Sequence, residues 1–157
     1  MNKAITLRPM TPQDIPFGLK LSQAAGWNQV AADWVMLLEQ SASGSYLACY
    51  NGVEAGTVTT VTYQKRFHWI GMMLVAAEYR RLGIGTILLE AAIDSVKAHG
   101  IVCLDATPAG KQLYDTLGFQ DIYCLGRWLR LAAPLDVPTP NDCHPLSSEI
   151  LPYRNLL

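Results

Sequence analysis

The segment RRLGIG, which runs from Arg80 to Gly85, joins an apolar stretch to a stretch with helical periodicity. Two glycines one residue apart allow a tight turn, and the helix that follows begins with backbone N–H groups that have no acceptor within the helix. These groups, the helix dipole and a nearby arginine all attract an anion. Neither G-x-G-x-x-G nor Gly-Lys-Ser/Thr is completed here, which disfavours a dinucleotide or ATP loop. The strand, turn and helix therefore predict a phosphate-binding turn of another kind.

Strand and helix patterns continue along most of the chain on either side of this turn. Asn51-Gly52, between two β-rich arms, predicts a two-residue hairpin turn, and Thr11 followed by Pro12 predicts a helix start. The predicted fold is α/β (α+β), a mixed and mostly antiparallel sheet with helices on both faces. The order is β-α-α-β-β-β-α-β-α-β-β, with strands at residues 4–10, a hairpin at 45–63, strands at 67–76 and 101–106 and a pair within 119–132, and helices at residues 11–26, 30–44, 86–100 and 109–118.

Composition excludes several classes of protein. The chain has 157 residues, of which 50% are hydrophobic and 16% charged, so we expect one folded core rather than disorder. Its formal net charge of −1 argues against nucleic acid as a partner. No apolar run is long enough to span a membrane and the first residues lack the apolar core of a secretory signal, so we expect a cytoplasmic protein without a membrane partner. The histidines and cysteines do not have metal-ligand spacing, so no metal is expected.

Two motifs give the chain a resemblance to a known family. The segment LVAAEYRRLGIGTILLEAA (residues 74–92) resembles the acetyl-CoA-binding segment of the GNAT superfamily of N-acetyltransferases, whose signature is Arg/Gln-x-x-Gly-x-Gly/Ala. The segment LDATPAGKQLYDTLGF (residues 104–119) resembles the strand and helix that follow in that superfamily, which often end in Leu-Tyr-x-x-x-Gly-Phe. The resemblance covers residues 3–132, and its N-terminal part rests on the order of elements more than on motifs.

This resemblance implies a cofactor site, residue by residue. Leu74 and Val75 are implied to contact the acetyl and pantetheine groups through their backbone. Tyr114 stands where many members have the group that protonates the departing thiolate, a role that suits a phenol with a pKa near 10. Thr107 stands where many members have an asparagine that helps to hold pantetheine, and threonine forms fewer hydrogen bonds. The implied pyrophosphate cradle comprises Arg80, Arg81, Leu82, Gly83, Ile84, Gly85 and Thr86.

The sequence leaves the general base and the acceptor site open. Many members use a strand carboxylate to take the proton from the amine, but residues 56–77 contain neither Asp nor Glu. His68 and Asp105 are the candidate bases, and loss of the proton to bulk water is the alternative. The first two helices commonly border the acceptor pocket in this superfamily, which makes Trp27, Asp33 and Trp34 candidate substrate-binding residues. Core packing explains the two tryptophans about as well.

The function implied by the resemblance is N-acetyltransfer. Acetyl-CoA would donate its acetyl group to a primary amine of a small molecule or peptide, which attacks the thioester directly. A CoA-binding sensor or interaction module with the same fold is the alternative, and a homodimer is one expected assembly. The predicted acetyltransferase domain spans residues 1–133. Residues 134–157 form a proline-rich tail, a candidate linker to a second, similar half such as longer members of the superfamily have.

Overall fold

The computed structural model describes residues 4–41, 43–64, 66–96 and 100–126. The chain divides into two units, Met1–Gln120 and Asp121–Leu157. The described residues of the first unit form strands and helices in the order β1 (Ile5–Pro9), α1 (Ile15–Ala24), α2 (Ala31–Glu39), β2 (Tyr46–Tyr50), β3 (Val53–Tyr63), β4 (Phe67–Val75), α3 (Ile84–Val96), β5 (Ile101–Leu104) and α4 (Pro108–Thr116), with short 3-10 helices at Pro12–Asp14 and Ala77–Tyr79.

The strands form one sheet in the order β1-β2-β3-β4-β5. The pairs from β1 to β4 are antiparallel, and β5 is parallel to β4. This confirms the predicted mixed, mostly antiparallel sheet. Asn51 and Gly52 connect β2 to β3 with φ angles of 51° and 83°, as a two-residue turn that matches the right-handed twist of its strands requires. The predicted hairpin is therefore confirmed.

Two hydrophobic clusters cover the two faces of the sheet. One cluster joins the sheet to α3 and α4, and it includes Val58, Leu88 and Tyr114. The other joins the sheet to α1 and α2 through Leu21, Trp34, Leu74 and Ala76. The end of β4 supplies both clusters, because alternate residues of a strand point to opposite faces. Helices on both faces, as the sequence predicts, are thus confirmed, and the end of β4 lies between the two layers.

Some sequence predictions need correction, and others fall outside the described residues. Residues 119–126 are neither strand nor helix, although their alternating pattern predicts the first part of a strand pair. Alternation alone does not make a strand, because the backbone also needs a ladder partner. Residues 127–132 lie outside the described residues, as do the predicted boundary at 133/134 and the tail. The second helix is shorter than predicted, since α2 ends at Glu39.

Candidate active site

The fourth and fifth strands separate in the middle of β4. Their pairing runs from Phe67 opposite Ile101 to Ile70 opposite Leu104, where β5 ends, while β4 continues to Val75. Within the described chain, the edge of β4 that faces away from β3 therefore has no strand partner beyond Ile70. An unpaired strand edge presents N–H and C=O groups that are available to a ligand.

A β-bulge interrupts β4 in this unpaired part. The register between β3 and β4 shifts between Thr57 and Thr59, and Met72 has a φ of 46°, which is uncommon for a residue other than glycine. The buried hydroxyl of Thr57 donates a hydrogen bond of 2.9 Å to the carbonyl oxygen of Met72 and so holds the bulge. Bulges redirect a strand and its side chains, and they are frequent beside active sites.

The turn after β4 is attached to the end of that strand. The Arg80 guanidinium donates from Nε to the carbonyl oxygen of Val75 over 3.2 Å, and the rings of Tyr79 and Tyr50 lie 5.5 Å apart. Arg80, Arg81 and Gly83 are all exposed. The turn thus combines two accessible cationic residues with a backbone fixed to the unpaired edge of β4.

The first turn of α3 completes this anion-attracting segment. Ile87 donates its N–H to the carbonyl of Gly83, so the preceding N–H groups, of residues 84–86, have no acceptor within the helix. A helix N-terminus of this kind favours negative charge. Ile84 is only 1% exposed, and its burial anchors the helix so that these N–H groups face the turn.

The two glycines of the turn serve different purposes. Gly83 has a φ of +84°, and a Cβ there would meet nothing within 4 Å. Gly83 therefore provides the left-handed conformation and leaves the space above the helix open. Gly85 lies within the helix, and a Cβ there would come within 3.3 Å of Met73 and 3.5 Å of Leu113. Gly85 therefore lets β4, α3 and α4 approach closely.

Tyr114 lies on α4 and follows Leu113, the residue that packs near Gly85. It is 8% exposed and belongs to the same core cluster as Ile84, and Phe119 packs edge-on against its ring at 6.0 Å. Burial raises the pKa of the Tyr114 phenol, which keeps the hydroxyl protonated at neutral pH. Thr107 caps α4, where its Oγ1 accepts the N–H of Gly110 at 3.2 Å, and its own O–H remains available to donate.

An open cavity of about 380 Å³ borders the bulge at Met72. Asp33 lines it and uses Oδ2 to accept the N–H of Val30 at 2.8 Å. Trp34 is not among the lining residues, because it is fully buried in the core and packs closely against Gly18. Trp27 is half-buried and packs in the same cluster as Trp34. The lining residues are Asn28, Gln29, Asp33, Met36, Leu37 and Met72.

The structure does not bring His68 to this site. His68 lies at the start of β4, six residues before Leu74, which is about 20 Å along a strand. Its side chain is buried, with Nδ1 3.0 Å from the hydroxyl of Thr62. Asp105 is exposed just after β5. In the described part of the chain, no group of three or more His, Cys, Asp or Glu side chains is arranged to hold a metal.

Sequence reasoning singled out one of the six lining residues, Asp33, and missed the other five, three of which lie in the loop before α2 and at the bulge. Asn28 and Gln29 lie in the connection between α1 and α2, and Met72 lies at the bulge. Two adjacent amides in a loop are a weak signal. Nothing in the sequence GMMLV indicates that Met72 adopts a positive φ, because bulges depend on the pairing of two strands.

The chain belongs to the acetyltransferase (GNAT) family, whose sequence pattern matches residues 16–119. Among curated proteins, it is similar to the Uncharacterized N-acetyltransferase YitH of Bacillus subtilis (strain 168), with 29% identity over 109 residues. That similarity covers 64% of this chain and 36% of the relative, so the chain spans about a third of the relative's length.

Solved structures share the fold. A protein of Pyrococcus horikoshii assigned as an acetyltransferase superposes with a TM-score of 0.68 and 26% identity, over 76% of this chain and 44% of that one. The ribosomal-protein-S18-alanine N-acetyltransferase of Escherichia coli superposes with a TM-score of 0.64 and 20% identity, over 76% of this chain and 80% of that one. Among the described residues, no helix has both the length and the apolar character needed to cross a bilayer.

Proposed function

We propose that this protein transfers an acetyl group from acetyl-CoA to a primary amine of a small molecule or peptide. The observation that carries the proposal is the meeting of three elements around Gly85, where side chains of β4 and α4 both contact the first turn of α3. On this ground we assign the unpaired edge of β4, the N–H groups of α3 and Tyr114 on α4 to one site. Membership of the acetyltransferase (GNAT) family supports the same reaction.

In this proposal the turn binds the CoA pyrophosphate. The N–H groups of residues 84–86 donate to its oxygens, and the exposed Arg81 adds a charge-assisted hydrogen bond. Arg80 supports the turn through its bond to Val75. The backbone of Leu74 and Val75 orients the acetyl and pantetheine groups, and the hydroxyl of Thr107 contacts pantetheine.

The chemical step is a direct transfer. The neutral amine nitrogen bonds to the thioester carbonyl carbon, and the carbon–sulfur bond breaks. Tyr114 gives its proton to the thiolate, which leaves as free CoA. The amine nitrogen loses its proton to bulk water, and the Tyr114 phenolate regains a proton from water before the next turnover. The Tyr114 phenol, whose pKa is raised by burial, is protonated at neutral pH and so carries the proton that the thiolate takes.

A catalytically weak CoA-binding sensor is the second candidate. Residues 56–77 contain no carboxylate that would accept the proton of the amine, and Thr107 forms fewer hydrogen bonds than the asparagine that the family resemblance leads one to expect there. The two candidates differ in one outcome, because a sensor binds acetyl-CoA without releasing CoA when amines are supplied.

The test uses isotopically labelled acetyl-CoA and a broad panel of amines. Acetyltransfer predicts equal amounts of free CoA thiol and labelled acetylated amine. Tyr114→Phe should lower kcat by about 100-fold and remove the alkaline loss of activity expected of the wild type. That loss lies above the ordinary phenol value, because burial raises the pKa of Tyr114. Tight acetyl-CoA binding without turnover of any amine supports the sensor instead, and full turnover by Tyr114→Phe contradicts the assigned role of Tyr114.

A further inference from the structure

A side-chain hydroxyl of β3 supports the bulge of β4. Thr57 is fully buried, and its Oγ1 donates to the carbonyl oxygen of Met72 over 2.9 Å. Met72 has a φ of 46°, a conformation that a residue other than glycine keeps only where its surroundings hold it. The Thr57 hydroxyl therefore stabilises a backbone conformation that the chain would otherwise avoid.

The bulge determines which face of the sheet each later residue of β4 occupies. Between Gly71 and Leu74, β4 has one residue more than the paired part of β3. Ile70 packs with α3 and α4, whereas Leu74 packs with α1 and α2. Residues four apart in a regular strand share a face, so the extra residue is the reason for this exchange. Loss of the bulge would return Leu74 to the face of Ile70.

The same register determines which backbone groups of β4 reach its unpaired edge. Directly after β4, Ala76 donates its N–H to the carbonyl of Ala55 on β3, while the carbonyl of Val75 accepts from Arg80. Neighbouring residues of an antiparallel strand direct their N–H and C=O groups to opposite edges. The N–H of Val75 therefore faces away from β3, on the edge that the proposed function assigns to the acetyl group.

We infer that Thr57 is a positioning residue of the proposed reaction, because its hydroxyl keeps β4 in the register that presents the Val75 N–H to the thioester carbonyl. This inference rests on the proposed function, since it concerns how the acetyl group of that reaction is oriented. A fixed N–H at the carbonyl oxygen stabilises the negative charge that develops there as the amine attacks. Without the Thr57 hydroxyl, the Met72 carbonyl loses this donor and the Val75 N–H is less well fixed.

Three buried threonines of β3 provide the variants and their controls. Thr57→Val removes the hydroxyl that supports the bulge, and Thr57→Ser keeps it. Thr60 donates a bond of the same length, 2.9 Å, to the carbonyl oxygen of Gly44, outside β4, so Thr60→Val measures the general effect of losing such a bond. Thr59 is equally buried and its Oγ1 has no partner among the described residues, so Thr59→Val measures the effect of the exchange itself. A melting curve verifies that each variant folds.

The first measurement needs no turnover. Acetyl-CoA labelled with carbon-13 at its carbonyl carbon is added without an amine, and the NMR signal of that carbon is compared between the free and the bound state. A hydrogen bond to the carbonyl oxygen should displace the signal on binding, and the displacement should fall to about half or less in Thr57→Val. Thr57→Ser, Thr59→Val and Thr60→Val should keep the wild-type displacement. The inference is overturned if the wild-type signal does not move on binding, or if it moves equally in Thr57→Val.

Turnover with the amine panel then distinguishes this inference from the proposed function. Thr57→Val should lower kcat by about tenfold or more, Thr57→Ser should restore it, and Thr60→Val should keep the wild-type kcat. Equal kcat values in Thr57→Val and Thr60→Val overturn the positioning role and support acetyltransfer. A carbonyl signal that depends on Thr57, without CoA release from any amine, overturns acetyltransfer and supports the positioning role.

Discussion

The hydroxyl of Tyr114 lies 3.0 Å from the point that a Cβ on Gly110 would occupy, and its ring carbons Cε2 and Cζ lie 2.9 and 3.1 Å from that point. Gly110 precedes Tyr114 by one turn of α4, so the ring lies against the first turn of its own helix. Glycine in a helix costs about 0.5–1 kcal/mol relative to alanine. The close approach of the ring gives a reason for glycine here, and it makes Gly110 a positioning residue for the Tyr114 hydroxyl.

Gly110→Ala should therefore lower kcat while leaving the protein folded. The new methyl group moves the phenol away from the place where the thiolate forms, and a small displacement of a reacting group is enough to lower kcat by about tenfold. Alanine favours the helix, so we expect the free energy of unfolding to change by less than about 1 kcal/mol. Steady-state kinetics and urea unfolding measure the two effects.

Tyr114→Phe provides the control for this variant. If Gly110 acts through the Tyr114 hydroxyl, the alanine substitution has little further effect on kcat once that hydroxyl is absent. An equal loss of kcat in the wild-type and Tyr114→Phe backgrounds would show that Gly110 has a structural role only.

His68→Leu should leave the pH dependence of kcat unchanged, because His68 lies at the far end of β4 from the proposed acetyl site. His68 has one hydrogen bond, with Thr62, and its buried Nε2 has no partner among the described residues. Leucine loses the hydrogen bond with Thr62 but also removes the buried Nε2 that has no partner. Because these two effects offset each other, we expect the free energy of unfolding to change by less than about 1.5 kcal/mol. A large loss of kcat together with a displaced acidic limb of the pH profile would make His68 the base after all.

Asp14 should make the free energy of unfolding depend on pH in the acidic range. The Arg8 guanidinium, which forms hydrogen bonds of 2.8 and 2.6 Å with it, lowers the pKa of this nearly buried carboxyl, and Thr11 donates further bonds. A lowered pKa in the folded state means that the stabilisation is complete above the unfolded value of about 3.9 and is lost as the pH falls through the folded value.

Asp14→Asn measures this contribution. At pH 7 we expect the variant to be less stable by about 2 kcal/mol, and the difference in unfolding free energy should shrink as the pH falls below about 4. Urea titrations at pH 7, 4 and 3 test it. A difference that stays constant over this range would mean that the charge of Asp14 does not contribute.

Local chemistry made much of the fold predictable. Asn51-Gly52 determines a turn that few other pairs adopt, and Thr11 with Pro12 marks a helix start, so these features follow from single residues. Periodicity located β4 and α3, because each has a face that must be buried. Residues 119–126 show the limit, since a strand also requires a partner that the local sequence does not specify.

The candidate site was less predictable than the fold. The glycine turn could be read from the sequence because positive φ and close approach both select glycine. The bulge at Met72 and the burial of Trp34 depend on how β3, β4 and the helices pack, which involves residues far apart in sequence. His68 has a suitable intrinsic pKa for a base, but its distance from Leu74 is a property of the strand rather than of the residue.

Binding of acetyl-CoA to Gly83→Asp tests the central claim, that the turn after β4 holds the CoA pyrophosphate. Gly52→Asp is the matched control, because Gly52 has a φ of +83° against +84° for Gly83 and equally open space, but lies in the hairpin. Calorimetry should show a Kd weakened by about 100-fold or more in Gly83→Asp, since the new carboxylate repels the phosphates, and a Kd near the wild-type value in Gly52→Asp. An unchanged Kd in a folded Gly83→Asp protein would contradict the account.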